Sequence, residues 1–136
     1  MNLEEIDDFA TLTGSSLVPG VIPRDLDYFA LWDKEKIEEV RQKLCKLPYY
    51  KHAEDPSTQD WRDTLCFAFK LEDGRKVELF FANHKYYRVL RLYTQLVIEL
   101  CRDMAMRVYL AHKPNRVRFC EALRTIADRA PGEELV

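Results

Sequence analysis

The stretch Leu65-Cys66-Phe67-Ala68-Phe69-Lys70-Leu71-Glu72-Asp73-Gly74-Arg75-Lys76-Val77-Glu78-Leu79-Phe80-Phe81-Ala82 decides the fold class. Two strand-like runs, Leu65 to Leu71 and Arg75 to Ala82, flank Glu72-Asp73-Gly74, which suits a three-residue hairpin loop with Gly74 in the left-handed region. That loop pairs Phe69 with Val77, Phe67 with Leu79 and Leu65 with Phe81, so one face of the ribbon is wholly apolar. A two-residue Asp-Gly turn would instead pair Phe69 with Glu78 and Leu71 with Lys76. Because a one-residue slip sends every side chain to the opposite face, the apolar face selects the longer loop. The second face then carries Lys70, Lys76 and Glu78, with Cys66 and Phe80 near one end.

A lone hairpin is marginally stable and needs cover. Downstream, Asn83 is placed to cap a long helix expected from His84 to Ala111. Tyr86, Leu90, Tyr93, Val97, Leu100, Met104 and Val108 form one apolar stripe at helical spacing, opposed by Arg88, Arg91, Gln95, Glu99, Arg102 and Arg107. Leu92, Leu96, Ile98, Met106 and Leu110 widen the apolar arc, which predicts a central helix touched by several elements. Pro114-Asn115 breaks the chain. A last helix then places Phe119, Cys120, Leu123, Ile126 and Ala127 on one face, and Pro131-Gly132 closes it ahead of a flexible tail, 131–136.

Upstream, Asn2 and Glu5 make a capping-box-like start to a short helix whose apolar face is Leu3, Ile6, Phe9 and Ala10, ended by Gly14. Residues 15–23 read as an irregular or extended connection in which Leu17-Val18 and Val21-Ile22 offer a third short strand at a sheet edge. Pro19 and Pro23 weigh against a central strand there. Asp33 caps a helix carrying Ile37, Val40, Leu44 and Leu47 that stops at Pro48, and 49–61 reads as a polar loop. The expected architecture is therefore α+β: an antiparallel hairpin, with a third short strand, packed on a long central helix and two or three shorter ones. At 136 residues the whole chain, 1–136, suits a single domain.

Composition narrows the function classes. Charged residues make up 32% and hydrophobic ones 47%, which is ordinary globular usage. No run approaches the roughly 20 apolar residues of a membrane span. The acidic opening, Asn2 to Asp8, is unlike a secretory signal, so a cytoplasmic or nuclear location is expected. Cys45, Cys66, Cys101 and Cys120 lie far apart without the close ligand pairs of a zinc site, and read as reduced, mostly buried thiols. Nucleophilic catalysis needs a thiol or hydroxyl set against a histidine base. His52, His84 and His112 fall in a loop and at helix ends, no glycine-rich phosphate loop exists, and no cofactor is implied. The expectation is a protein that is not an enzyme.

The charge is unevenly spread. Residues 1–63 carry 14 acidic and 8 basic side chains, whereas residues 84–129 carry 10 basic and 4 acidic ones. Such asymmetry arises either from a basic binding face or from halves that attract each other in the fold. The expected function is binding another macromolecule, most of all a protein, as an adaptor, inhibitor or regulatory factor, with a homodimer as one form of it. Tyr87, Arg88, Arg91, Arg102 and Arg107, with Trp61 from the loop, are the expected contact residues, since aromatic and arginine side chains anchor interfaces. Met104 and Met106 offer adaptable apolar surface. The alternative is RNA or single-stranded nucleic acid, bound through His84, Lys85, Tyr87, Arg88, Lys113, Arg116 and Arg118, where rings stack on bases and cations meet phosphates. A sequence pI near 5.9 weighs against that alternative.

Overall fold

The computed structural model describes residues 1–44, 46, 64–71 and 73–129. The hairpin forms in the expected register: β3 (Thr64–Lys70) pairs antiparallel with β4 (Lys76–Ala82), Phe69 opposite Val77 and Phe67 opposite Leu79. Gly74 takes φ +88° in the turn, and the ribbon closes with Leu71 N–H donating to Arg75 O at 2.8 Å. Leu65, Phe67, Phe69, Val77, Leu79 and Phe81 are all buried on one face.

The remaining strands differ from the expectation. The hairpin belongs to a four-stranded mixed sheet of order β1-β2-β4-β3. The central partner is β2 (Asp25–Leu31), parallel to β4, and β1 (Thr11–Thr13) pairs antiparallel on its outer side. Residues 15–23 contain no strand. Gly14 just before this segment and Gly20 within it adopt positive φ, and Gly14–Leu17 winds into a 3₁₀ turn. Leu17, Val18 and Val21 pack against helices instead of a sheet edge, while Ile22 points into solvent.

Alternation explains β2. Leu26, Tyr28 and Ala30 join the hairpin's apolar face, and Asp25, Asp27 and Phe29 face the other way. The first helix, α1 (Leu3–Asp7), is shorter than the distance to Gly14 implied. Asn2 caps it as expected, its Oδ1 accepting from Glu5 N–H at 2.9 Å. The chain then turns through hydrogen bonds from Phe9 and Ala10 N–H to Ile6 O, which frees the β-branched pair Thr11 and Thr13 for β1.

The first sheet face is roofed by α1 and α2 (Lys34–Leu44), which bury Ile6, Ile37, Val40 and Leu44 in one cluster with the hairpin. Asp33 Oδ1 accepts from Glu35 and Lys36 N–H. Leu47, Pro48, the 49–61 loop and Pro131-Gly132 lie outside the described residues. Burial of this face is the main stabilising term, since each large apolar side chain taken from water contributes about 1.5–3 kcal/mol.

The second face is covered by α3 (His84–Leu100) and α5 (Lys113–Arg129). The helix expected as one piece is two. It ends at Leu100, and α4 (Met104–Leu110) starts after a turn in which Asp103 is extended. Asp103 Oδ1 accepts from Met106 N–H at 3.0 Å, and Arg107 Nε donates to Cys101 O at 3.0 Å, so both new helix ends are satisfied. Pro114 lies in the first turn of α5, where its missing N–H is no loss; the break falls just before it. Among the described residues no helix is long and apolar enough to cross a membrane.

Candidate functional site

Parallel pairing of β2 with β4 places Asp27 opposite Glu78 and Phe29 opposite Phe80 on the second sheet face, and Asp25 is on the same face by alternation. The antiparallel register adds Cys66 beside Phe80. Above this floor α3 and α5 leave a cleft of about 780 Å³, also walled by Gly14, Ser15 and Val21. α3 contributes Tyr86, Leu90 and Tyr93, and α5 contributes Lys113, Arg116, Val117 and Cys120.

The Asp27 carboxyl is closely confined. A Cβ at Gly14 would sit 2.5 Å from Asp27 Oδ2, and Gly14 has φ +71°, so bare backbone lies against the carboxyl. Asp27 Oδ1 is buried without a hydrogen-bond partner. Burial first, then the charges of Glu78 and Asp25 and a hydrogen bond with Glu78, push the Asp27 carboxyl up to about 7, against a smaller opposing pull from Lys113. Behind Gly14, the hydroxyls of Thr13 and Thr94 hydrogen-bond at 2.9 Å and tie β1 to α3.

The remaining polar groups are quiet. Burial raises the Cys120 thiol against a hydrogen bond with Tyr86 and the nearby Arg124, and burial raises Cys101. Neither thiol is therefore poised as a nucleophile. Burial, then Cys120, pushes the Tyr93 hydroxyl up to about 12. Neither His84 nor His112 lines the cleft. Among the described residues no set of three His, Cys, Asp or Glu side chains gathers as a metal site.

The residues expected to bind do not gather in one place. Tyr87 is half-buried on α3, its ring 5.5 Å from that of Phe29, with the Arg91 guanidinium 5.9 Å from the Tyr87 ring centre. Arg88 is partly buried nearby. Arg102 lies past the other end of α3, paired with Glu99 at 3.2 Å and largely exposed, and Arg107 closes the α3 terminus. About 18 Å of helix separates Arg88 from Leu100 at 1.5 Å per residue. Trp61 lies outside the described residues. Of the group considered for nucleic acid, Lys85 pairs with Asp128 at 2.8 Å, and His84, Lys113 and Arg118 are exposed. Arg116 is only 8% exposed, with Nη1 donating to Leu110 O at 2.8 Å and Ala111 O at 3.0 Å. Its fold role is to close the C-terminus of α4.

A second feature follows from the helix break. The apolar stripe continues in sequence through Met104 and Val108, yet these are 65% and 58% exposed, and Ile98 before the turn is 50% exposed. α4 buries Leu110 instead. Of the residues expected on the inner face of α5, Ala127 is buried whereas Ile126 is exposed. Of the cleft acids, sequence reasoning placed Glu78 on the second hairpin face without giving it a role, and it missed Asp25 and Asp27. Their one local signal is the alternation of Asp25, Asp27 and Phe29 opposite Leu26, Tyr28 and Ala30. Compared with protein-family models, curated proteins and solved structures, the chain matches none.

Proposed function

We propose that this chain is a non-enzymatic protein-binding factor whose contact surface is the elbow between α3 and α4. One observation carries the reading: the turn at Cys101–Asp103 leaves Met104 and Val108 in water although the sequence gives them the pattern of a buried stripe. Apolar side chains grouped on one helix face favour removal from water by a partner, and methionine adapts its shape to the surface it meets. Tyr109 adds a half-exposed ring on the same helix. Arg102 and Arg107 flank the turn and supply the charged rim that such contacts use for orientation. Arg88 and Arg91, with Tyr87, stand further along α3 and extend the surface for a larger partner. Nucleic acid is the less supported reading, because Arg116 already serves α4 and Lys85 already pairs with Asp128.

The test is affinity purification from the native source, with and without nuclease, using the wild-type chain and the double variant Met104→Glu/Val108→Glu. A stoichiometric protein that survives nuclease and is lost with the double variant is expected. The variant's thermal midpoint should stay within about 2 °C of wild type, as exposed substitutions do. Recovery unchanged by the substitutions, or a collapse of the midpoint, would remove the elbow from consideration. Recovery that disappears with nuclease alone would transfer the function to the basic C-terminal half.

A further inference from the structure

The break after Leu100 turns α4 the opposite way from an ordinary surface helix. At about 100° per residue, Met104, Ala105, Val108 and Tyr109 fill one continuous arc of about 140°, and all four are exposed. The solvent face of this helix is therefore wholly apolar, where a polar face is the rule. Its one charged residue, Arg107, borders the arc and is held there by its bond to Cys101 O. The charge around that face has one sign. From residue 104 through residue 120 the chain holds Arg107, Lys113, Arg116 and Arg118, and the first acid beyond them is Glu121. Lys113 and Arg118 are exposed on the first two turns of α5, which starts where α4 ends. On the other side the nearest carboxylates are engaged: Glu99 pairs with Arg102, and Asp103 Oδ1 accepts from Met106 N–H. Among the described residues neither Arg107 nor Arg118 forms an ion pair.

We propose that the partner of the elbow is an acidic amphipathic helix, its apolar stripe on Met104, Ala105, Val108 and Tyr109 and its flanking Asp or Glu side chains toward Arg107, Lys113 and Arg118. The inference rests on the elbow being the contact surface and adds the chemistry of what it contacts. Charge selects the occupant. A basic partner, or a second copy laid face to face on this helix, brings cations against Arg107 and Arg118, and like charges facing each other across a contact are costly. Size also excludes the second copy: α4 runs only about 10 Å and does not by itself supply the roughly 800 Å² per partner of a stable interface. A helix packs on it through ridges and grooves of side chains, and carboxylates fix the register that four apolar side chains leave open. The contact is small, so it is weak and transient.

Titration of the full chain, methyl-labelled at methionine, with synthetic helical peptides of about 15 residues tests this. One peptide carries a stripe of leucines at helical spacing flanked by Glu; its counterparts have Gln or Lys in place of every Glu. The Glu peptide is expected to saturate below about 1 mM and to shift the Met104 methyl resonance. It should bind about tenfold or more tightly than the Lys peptide and weaken as salt rises. In Arg102→Glu/Arg118→Glu the preference should invert in favour of the Lys peptide, a reversal that loss of folding cannot imitate. An unchanged preference there, or a Glu peptide that does not saturate, overturns the inference. Equal affinity for the Glu, Gln and Lys peptides, all lost in Met104→Glu/Val108→Glu, overturns the acidic partner and leaves the elbow standing. Binding that survives that double variant removes the elbow itself. A single-stranded oligonucleotide that shifts the Met104 methyl at lower concentration than the Glu peptide would give the face to nucleic acid instead.

Discussion

Gly14 and Gly74 share a backbone conformation and differ in what surrounds them, so together they separate strain from crowding. A methyl group at Gly74 meets nothing within 4 Å, whereas one at Gly14 runs into Asp27. Gly74→Ala should therefore cost only the left-handed penalty, about 1 kcal/mol. Gly14→Ala should cost roughly 2–4 kcal/mol, since overpacking is added to strain. Urea denaturation of the two variants measures the difference, and equal losses would mean that β2 has room to move away from Gly14. Asp27 itself has a pH signature. Its proton is held more tightly in the folded chain, up to about 7 against the ordinary 3.8, which favours folding at low pH. That contribution is lost as pH rises from about 4 through about 7. Asp27→Asn should thus stabilise the chain by roughly 1–3 kcal/mol at about pH 8 and change little at about pH 4. A gain equal at both pH values would show that the carboxyl keeps its ordinary affinity for the proton.

The division of one expected helix into α3 and α4 is a choice between two satisfied states. Continuing through Cys101–Asp103 would add intrahelical hydrogen bonds; breaking there gives bonds from Met106 N–H to Asp103 Oδ1 and from Arg107 Nε to Cys101 O. Asp103→Ala removes the cap and should cost about 1 kcal/mol. Amide exchange in α4 should quicken more than in α3, and unchanged protection would mean that packing of Leu110 alone holds the helix. The Asp103 cap was present in the sequence, but the apolar stripe passes through it without losing phase, and periodicity outweighed the single capping residue. The strand β2 escaped notice for a related reason. Both its faces are covered, so acidic Asp25 and Asp27 alternate with apolar residues while Phe29 sits on the acidic side, which blurs the period-two signal.

Over the whole molecule the segregated charge of the sequence becomes geometry. The ion pairs Lys43–Glu5 and Lys85–Asp128 each form within one half of the chain. The two halves meet across the cleft, where Asp25 and Asp27 look toward Lys113 and Arg116. These two pairs are exposed, with side chains about half in solvent, and exposed pairs contribute roughly 0–1 kcal/mol each and weaken with salt. Raising the salt concentration about tenfold should therefore move the thermal midpoint by only a few degrees. A large fall would show that attraction between the halves holds the fold together.

What depends on neighbours along the chain was legible before folding: the hairpin loop and its register, the caps at Asn2, Asp33 and Asn83, and the α+β composition. Each rests on residues a few positions apart, where alternation, a left-handed glycine or a side-chain acceptor acts directly on the backbone. Tertiary structure alone decided that β2 would enter the centre of the sheet, that Met104 and Val108 would face water, and that Asp27 would meet Glu78, Gly14 and Lys113. Those partners are separated by long stretches of chain. No local pattern encodes them, because they come together only when burial of both sheet faces selects one arrangement of strands and helices.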